Sequence, residues 1–278
     1  MRKYLVIGNP IGHSLSPLIH NYWIKKHNLI DSVYEKKNVE KKDLINIVGQ
    51  VRNGQIKGVN VTVPYKKEII PFLDNVRGEA KLTQSVNTLC HVNNEVHGYN
   101  TDIKGFKNSL DNNHIEYNHK NIFIIGAGGV TSSILETFVN TANKIYITNR
   151  TKEKAKELKK LGDKSMTLLG RKRDTIEVVD WGEKPGTCDI IINTTSVGLA
   201  KNESLSLDFK DYTNNKNVLF YDLIYNPKET NFLKEARFRG NKTMNGKMMF
   251  LWQAQIAFQM WTGVAAKVDE KVIKLLDQ

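Results

Sequence analysis

The chain has 278 residues, 40% hydrophobic and 25% charged, with 41 Lys and Arg against 29 Asp and Glu for a net charge of +12. This reads as a globular protein of one large domain or two ordinary ones, and no apolar run reaches the ~18–20 residues of a membrane span. The two cysteines, Cys90 and Cys188, match no metal or redox spacing and suit free thiols in a reducing cytoplasm.

"MRKYLVIGNPIG" opens with charges, but its apolar run breaks early at Gly-Asn-Pro. That is too short for a signal-peptide core and predicts a first strand over 3–9. "PLIHNYWIKKHN" (17–28) predicts a helix with Ser16 as N-cap and Pro17 in its first turn. Ser14 and Ser16 then lie at a helix N-terminus, where a dipole, free N–H groups and hydroxyls suit a carboxylate or phosphate. Plain capping by Ser16 explains the same stretch. His13 and His20 fit no metal spacing and read as structural.

"SVYEKKNV" predicts a second strand, "VEKKDLINIVGQVRN" a helix and "IKGVNVTV" (56–63) a third strand, followed by a helix from Pro64. Lys66 falls in the first turn of that helix, where the dipole disfavours a cation. The position makes it a candidate, although surface lysines tolerate such a cost. Lys67 reads as solvated. "SVNTLCHV" and "EVHGYNTD" flank Asn93-Asn94, a hairpin signal. A two-residue loop sets Asn87 opposite Asn100 and Ser85 opposite Asp102. Asn87, Asn100 and Asp102 then project on one side, as a polar cluster or as an exposed hairpin face.

A second α/β pattern starts near residue 120, with "IKGFKNSLDNN" (103–113) as a connecting helix. "NIFIIGAGG", "KIYITNR", "CDIIINTT" and "NVLFYDLIY" read as buried strands; "VTSSILETFVNTA" and "TKEKAKELKKL" read as helices between the first of them. "GKMMFLWQAQIAFQMWTG" has helical spacing throughout. The alternation implies βαβ units and a largely parallel sheet.

"GAGGVT" (126–131) follows a strand and opens a helix, as a dinucleotide fingerprint does. It offers a tight turn at Gly126, close backbone approach at Gly128 and a phosphate at the helix N-terminus. Thr131 replaces the third glycine. The next strand ends in "TNRT", with Asn149, Arg150 and Thr151, and Lys154 close behind. NAD sites carry an acid at this point; a guanidinium instead favours the 2′-phosphate of NADP. "NTTSVGL" (193–199) puts polar residues at a strand's C-terminal end, which suits a ligand crevice or a capping loop. Residues 152–173 carry nine basic and three acidic side chains. Without interleaved aromatics they read as a solvated helix face and loop; an RNA-binding role would predict steep salt dependence.

"GNPIGHSLSPLIHN", "GVNVTVPYK", "SVNT", "GYNTD", "GAGG", "NRT", "NTTSVG", "YDLIYNP" and "NGKMMFLWQAQIAFQMW" run in one order along nearly the whole chain. Together they resemble the shikimate dehydrogenase family. The resemblance implies two α/β domains separated by a cleft: a substrate-binding domain over 1–104 plus 247–278, and a Rossmann-type NADP-binding domain over 105–246. It implies NADPH-dependent reduction of 3-dehydroshikimate to shikimate in aromatic amino-acid biosynthesis, with quinate/shikimate dehydrogenase as the alternative. Ser14 and Ser16 would hold the substrate carboxylate. Thr62, Lys66, Asn87 and Asp102 would surround its oxygens, with Lys66 and Asp102 catalytic, and Tyr225 and Gln253 would complete the contacts. Gly126, Ala127, Gly128, Gly129, Val130, Asn149, Arg150, Thr151, Lys154, Thr195, Leu223 and Gly246 would bind NADP(H). The expected partner is the small-molecule substrate, with no metal, no specific nucleic acid and no membrane, in a cytoplasmic monomer or homodimer.

Overall fold

The computed structural model describes residues 1–171, 173–200, 202–210 and 217–277. Lys172, in the basic stretch read above, lies outside them. The Cα framework divides into two compact units, Met1–Phe106 with Phe250–Gln278, and Lys107–Met249.

In the first unit, β1 (Arg2–Gly8) pairs in parallel with β2 (Ser32–Asn38) and β3 (Ile56–Val61). An antiparallel pair, β5 (Thr88–Val92) and β6 (Glu95–Tyr99), continues the sheet from β3, and the short β4 (Asn75–Val76) closes it; the order is β2-β1-β3-β5-β6-β4. Asn93 and Asn94 have φ of 48° and 64°, the left-handed values of a tight two-residue hairpin loop. The loop pairs Val92 with Glu95 and Thr88 with Tyr99, the predicted register. α1 (Ser16–Lys26), α2 (Leu44–Arg52) and the short α3 (Ala80–Thr83) belong to this unit. α2 buries Leu44, Ile47, Val48 and Val51, a helical stripe, against Leu5, Ile7, Val59 and Val61 of the sheet.

Two expectations fail here. Ser16 is the first residue of α1, not its N-cap; Leu15 holds that position without a side-chain bond. No α-helix follows Pro64. Residues 64–69 form successive turns with one helical bond, Ile69 N–H to Tyr65 O at 3.0 Å, and a 3-10 turn over Ile70–Phe72 ends them. Pro71 explains this, since it has no N–H for the Lys67 carbonyl and its ring would clash with that carbonyl. The dipole argument for Lys66 therefore falls.

The second unit holds an all-parallel sheet of β7 (Asn121–Ile125), β8 (Lys144–Thr148), β9 (Ile176–Val178), β10 (Ile190–Asn193), β11 (Leu219–Asp222) and β12 (Lys242–Asn245). Its order, β12-β11-β10-β7-β8-β9, is the doubly wound arrangement. α5 (Thr131–Phe138), α6 (Lys152–Leu168) and α7 (Asn231–Phe238) connect strands. β7 and β10 are hydrophobic runs, buried at every position but Asn121, as expected of strands covered on both faces. They are neighbours, with Ile125 beside Asn193. The order reverses between them, so the Gly126 turn and the 194–199 loop leave the sheet side by side.

The chain passes between the units within α4 (Asp102–Asp111) and again within α8 (Lys247–Thr262); α9 (Glu270–Leu275) ends the first unit. Trp261 of α8 fixes the returning segment to the first sheet. Its indole donates to Leu89 O at 2.9 Å and stacks on Tyr4 at 5.5 Å between centroids. A Cβ on Gly58 would come within 2.3 Å of the indole, so glycine is what admits it. Gly58→Ala is expected to lower stability by about 1–3 kcal/mol through overpacking and to shift tryptophan emission. Wild-type denaturation and emission would contradict this account of Trp261.

Candidate active site

Lys66 leaves the turns after β3 and is only 8% exposed. Its ammonium donates to Asp102 Oδ2 at 2.5 Å, and Asp102, at the start of α4, is 5% exposed. Asn87 Nδ2 donates to the other carboxylate oxygen, Oδ1, at 2.9 Å. Asn87 is itself held, since its Oδ1 accepts from Thr101 N at 2.8 Å and from Thr88 Oγ1 at 3.0 Å. The orientation of its amide follows, with the oxygen on donors and the nitrogen on the carboxylate. Asn100, expected beside these groups, does other work. Its Nδ2 donates to Ser85 O at 2.9 Å, and its Oδ1 accepts from Asp102 N at 3.0 Å, bracing the entry to α4.

A chain of buried polar groups extends from this cluster towards α1. Asn60 Nδ2 donates to Thr88 Oγ1 and Asn87 O, both at 3.3 Å. The Tyr34 hydroxyl donates to Asn60 Oδ1 at 2.7 Å. Burial raises the Tyr34 hydroxyl well above its ordinary range, and the neighbouring Ser16 hydroxyl offsets this in part. Ser14 Oγ donates to Ser16 Oγ at 3.2 Å and accepts from Ser16 N at 3.4 Å. Asn87, Asp102 and Lys66 thus share one hydrogen-bonded framework that runs to Tyr34, with the Ser16–Ser14 pair beside it. Tyr34, Asn60, Thr88 and Thr101 complete it and were not singled out from sequence. Asn60 carried a signal, as an amide within the otherwise apolar strand "GVNVTV"; Tyr34 carried none.

Thr62 follows β3 and joins Ile7 O through its N–H at 3.0 Å. Gln253 of α8 donates to Phe250 O at 2.9 Å, and its backbone packs on Gly105, where a Cβ would come within 2.8 Å. Lys67 is exposed, as is His13. His20 is buried and stacked on Tyr34 at 4.1 Å; burial pushes its pKa down to about 3, so it packs as a neutral ring. Among the described residues, no cluster of His, Cys, Asp or Glu could hold a metal ion.

In the second unit Gly126 has φ +115°, and a Cβ there would meet Thr194 Oγ1 at 2.5 Å, so the turn requires glycine. Gly128 has open space around its would-be Cβ, as a backbone approached by a phosphate needs. Thr131, in place of the third glycine, is wholly buried. Its Oγ1 accepts from Gly128 N at 2.9 Å and touches Thr194 Oγ1 at 2.9 Å, tying the glycine turn to the loop after β10. Ala127, Gly129 and Val130 line the turn at intermediate exposure.

Asn149 follows β8, and its amide donates to Thr151 O at 2.9 Å. Arg150, Thr151 and Lys154 are exposed at the start of α6. The nearest acid in sequence, Glu153, enters the first turn of α6, and no acid stands at 149–151. Gly246 is pressed on Leu223, whose carbonyl would lie 1.9 Å from an added Cβ. Tyr225 follows in the same turn. These groups fit NADP: a glycine turn with room for a phosphate, an exposed guanidinium beyond β8, and no carboxylate to repel a 2′-phosphate.

Residues 6–89 match the family model for the shikimate dehydrogenase substrate binding domain, and 109–225 match that for shikimate / quinate 5-dehydrogenase. The chain is 46% identical over 277 residues to the shikimate dehydrogenase (NADP(+)) of Pelagibacter ubique, covering 99% of each. A crystal structure of shikimate dehydrogenase in complex with NADP+ aligns with a TM-score of 0.90 at 32% identity, over 100% of this chain and 95% of that one. The Thermus thermophilus enzyme, solved with NADP(H) and shikimate, aligns at 0.85 and 27% identity over 100% and 99%.

Removing one member of a buried ion pair strands the other without solvent. Asp102→Leu is expected to lower the unfolding free energy by about 3–5 kcal/mol, and the double variant Lys66→Met/Asp102→Leu by clearly less than the sum of the singles. Additive losses in urea denaturation would contradict a coupled pair.

Proposed function

This chain belongs to the shikimate dehydrogenase family, and we propose how its residues carry out the family's reaction. The enzyme is an NADP-dependent oxidoreductase that reduces 3-dehydroshikimate reversibly to shikimate, in the pathway to the aromatic amino acids. The quinate alternative is not favoured, because the curated relatives are shikimate dehydrogenases (NADP(+)). The observation that carries the assignment of roles is the buried Lys66–Asp102 pair braced by Asn87.

Bound NADPH supplies a hydride to the substrate's carbonyl carbon. Charge then develops on the carbonyl oxygen, which needs a positive group and a proton. Lys66 supplies both. Asp102 holds the ammonium in place and keeps an oxygen lone pair for a substrate hydroxyl. Asn87 orients Asp102 and faces the same hydroxyls. In the oxidative direction the pair takes the proton from the alcohol; as a coupled pair, Lys66 and Asp102 titrate together. Ser14 and Ser16 anchor the carboxylate, and Thr62 and Gln253 bind the remaining oxygens. Tyr225 keeps the substrate contact that the resemblance gives it.

The glycine turn 126–130 receives the pyrophosphate at the N-terminus of α5. Arg150 pairs with the 2′-phosphate and stacks on adenine, with Asn149, Thr151 and Lys154 beside it. Thr195, Leu223 and Gly246 serve the nicotinamide end. A cytoplasmic enzyme suits the two buried free thiols, Cys90 and Cys188. No helix among the described residues is long and apolar enough to cross a membrane. One chain supplies every group named, so a monomer suffices for the chemistry and a homodimer would need to add none.

Lys66→Ala is expected to lower kcat by about 10²–10⁴ with a milder change in KM; near-wild-type turnover would remove Lys66 from the mechanism. Arg150→Gln is expected to lower kcat/KM for NADPH by about tenfold or more, the loss of a charge-assisted contact, and to lower that for NADH clearly less, since only the adenine stacking is lost there. An equal loss with both cofactors would contradict the 2′-phosphate assignment.

A further inference from the structure

Asp222 ends β11 with no accessible surface. Among the described residues no cation compensates it; its surroundings are hydrogen-bond donors. Oδ1 accepts from Asn193 Nδ2 at 3.1 Å and from Ile224 N at 3.0 Å. Oδ2 accepts from Thr230 Oγ1 at 2.6 Å. Burial pushes the carboxyl up to about 6, with these bonds acting against it. An isolated buried charge is costly, and an apolar residue would cost less in the middle of "LFYDLIY". What the carboxylate achieves lies in where its donors come from.

Those donors belong to separate segments at the C-terminal end of the parallel sheet. Asn193 ends β10, and its Oδ1 accepts from Thr195 N at 3.0 Å and Thr195 Oγ1 at 2.7 Å. Asn193 Nδ2 also donates to Val197 O at 3.2 Å, so one amide sets the course of the 194–197 loop. Its orientation is decided by Asp222, which leaves the nitrogen no choice but to face the carboxylate. Ile224 N lies within the turn that carries Leu223 and Tyr225, and Ile224 O accepts from Gly246 N at 3.2 Å. Thr230 caps α7, accepting from Leu233 N at 3.4 Å. The loop after β10 and the turn after β11 are the segments assigned above to the nicotinamide end of the cofactor.

We propose that Asp222 is a positioning residue for NADP(H): its carboxylate, through Asn193 and the Ile224 amide, fixes Thr195 and Leu223 in their cofactor-binding places. This rests on the assignment of Thr195 and Leu223 above. Asn193 Nδ2 and Ile224 N need an acceptor, whereas the Thr230 hydroxyl can itself accept from an amide. Asp222→Leu therefore removes the acceptor from the cofactor arm at similar volume, which Asp222→Asn would not do. The Thr230 arm reaches α7 rather than a cofactor loop, so it separates positioning from stability.

The test is calorimetric binding of NADP+ and, separately, of shikimate, with melting temperatures for each protein. Asp222→Leu is expected to raise Kd for NADP+ by about 5–20-fold, the loss of charge-assisted bonds, with Kd for shikimate within about twofold of wild type. Thr230→Val, which removes the α7 cap, is expected to lower the melting temperature and keep Kd for NADP+ within about twofold. Should Asp222→Leu fail to fold, Asn193→Ala carries the decision, with the same loss of NADP+ affinity expected. Wild-type NADP+ affinity in folded Asp222→Leu or Asn193→Ala overturns the inference alone. So does a loss in Thr230→Val as large as theirs, which would make affinity follow stability. A wild-type protein that binds no NADP+ overturns the cofactor reading along with it.

Discussion

The ion pair between Lys66 and Asp102 sets the terms for the rest of the first unit. Two charges taken out of water cost several kcal/mol each in effective desolvation, about as much as their attraction returns. The pair persists in a folded protein only if the remaining lone pairs and protons find partners. Asn87 supplies one on Asp102 Oδ1. Asn87 in turn depends on Thr88 and on the Thr101 amide, and so on the hairpin that aligns β5 with the segment after β6. A one-residue slip in that hairpin would turn the whole set to the other face. The left-handed Asn93-Asn94 loop, at the far end of the hairpin, thereby fixes the Lys66–Asp102 pair.

The second unit solves a different problem. A dinucleotide brings its own charge, so the protein offers backbone, space and a few fixed polar atoms. Gly126 makes the turn, Gly128 leaves room, and Thr131 ties the turn to Thr194 across the switch point between β7 and β10. Buried Asp222 repeats the logic of Asp102 with donors in place of a cation. In both units a buried carboxylate gathers segments distant in sequence.

The sequence was legible where local rules decide. The alternating strands, the glycine turn and the hairpin register follow from period, turn chemistry and composition, and the structure keeps them. The helix expected from Pro64 fails because Pro71 interrupts it, a local signal that the apolar spacing of "EII" obscured. Ser16 has the residue type of a cap, but its hydroxyl instead accepts from Ser14 Oγ. Tyr34 and Asn60 were beyond reach for another reason. They lie 26 residues apart and meet only because β1 seats β2 and β3 on its two sides. Asp222 was hidden within an apolar strand, where no spacing rule marks a charge. The dipole that singles out Lys66 in the sequence is absent, and its partner is Asp102, 36 residues on.

This framework serves the NADPH-dependent reduction of the 3-dehydroshikimate carbonyl. Its most direct test is NADPH consumption by the purified chain on addition of 3-dehydroshikimate, with the product identified. One NADPH oxidised and one shikimate formed per 3-dehydroshikimate are expected, with much slower turnover with NADH. No consumption of NADPH, or equal turnover with NADH, would contradict it.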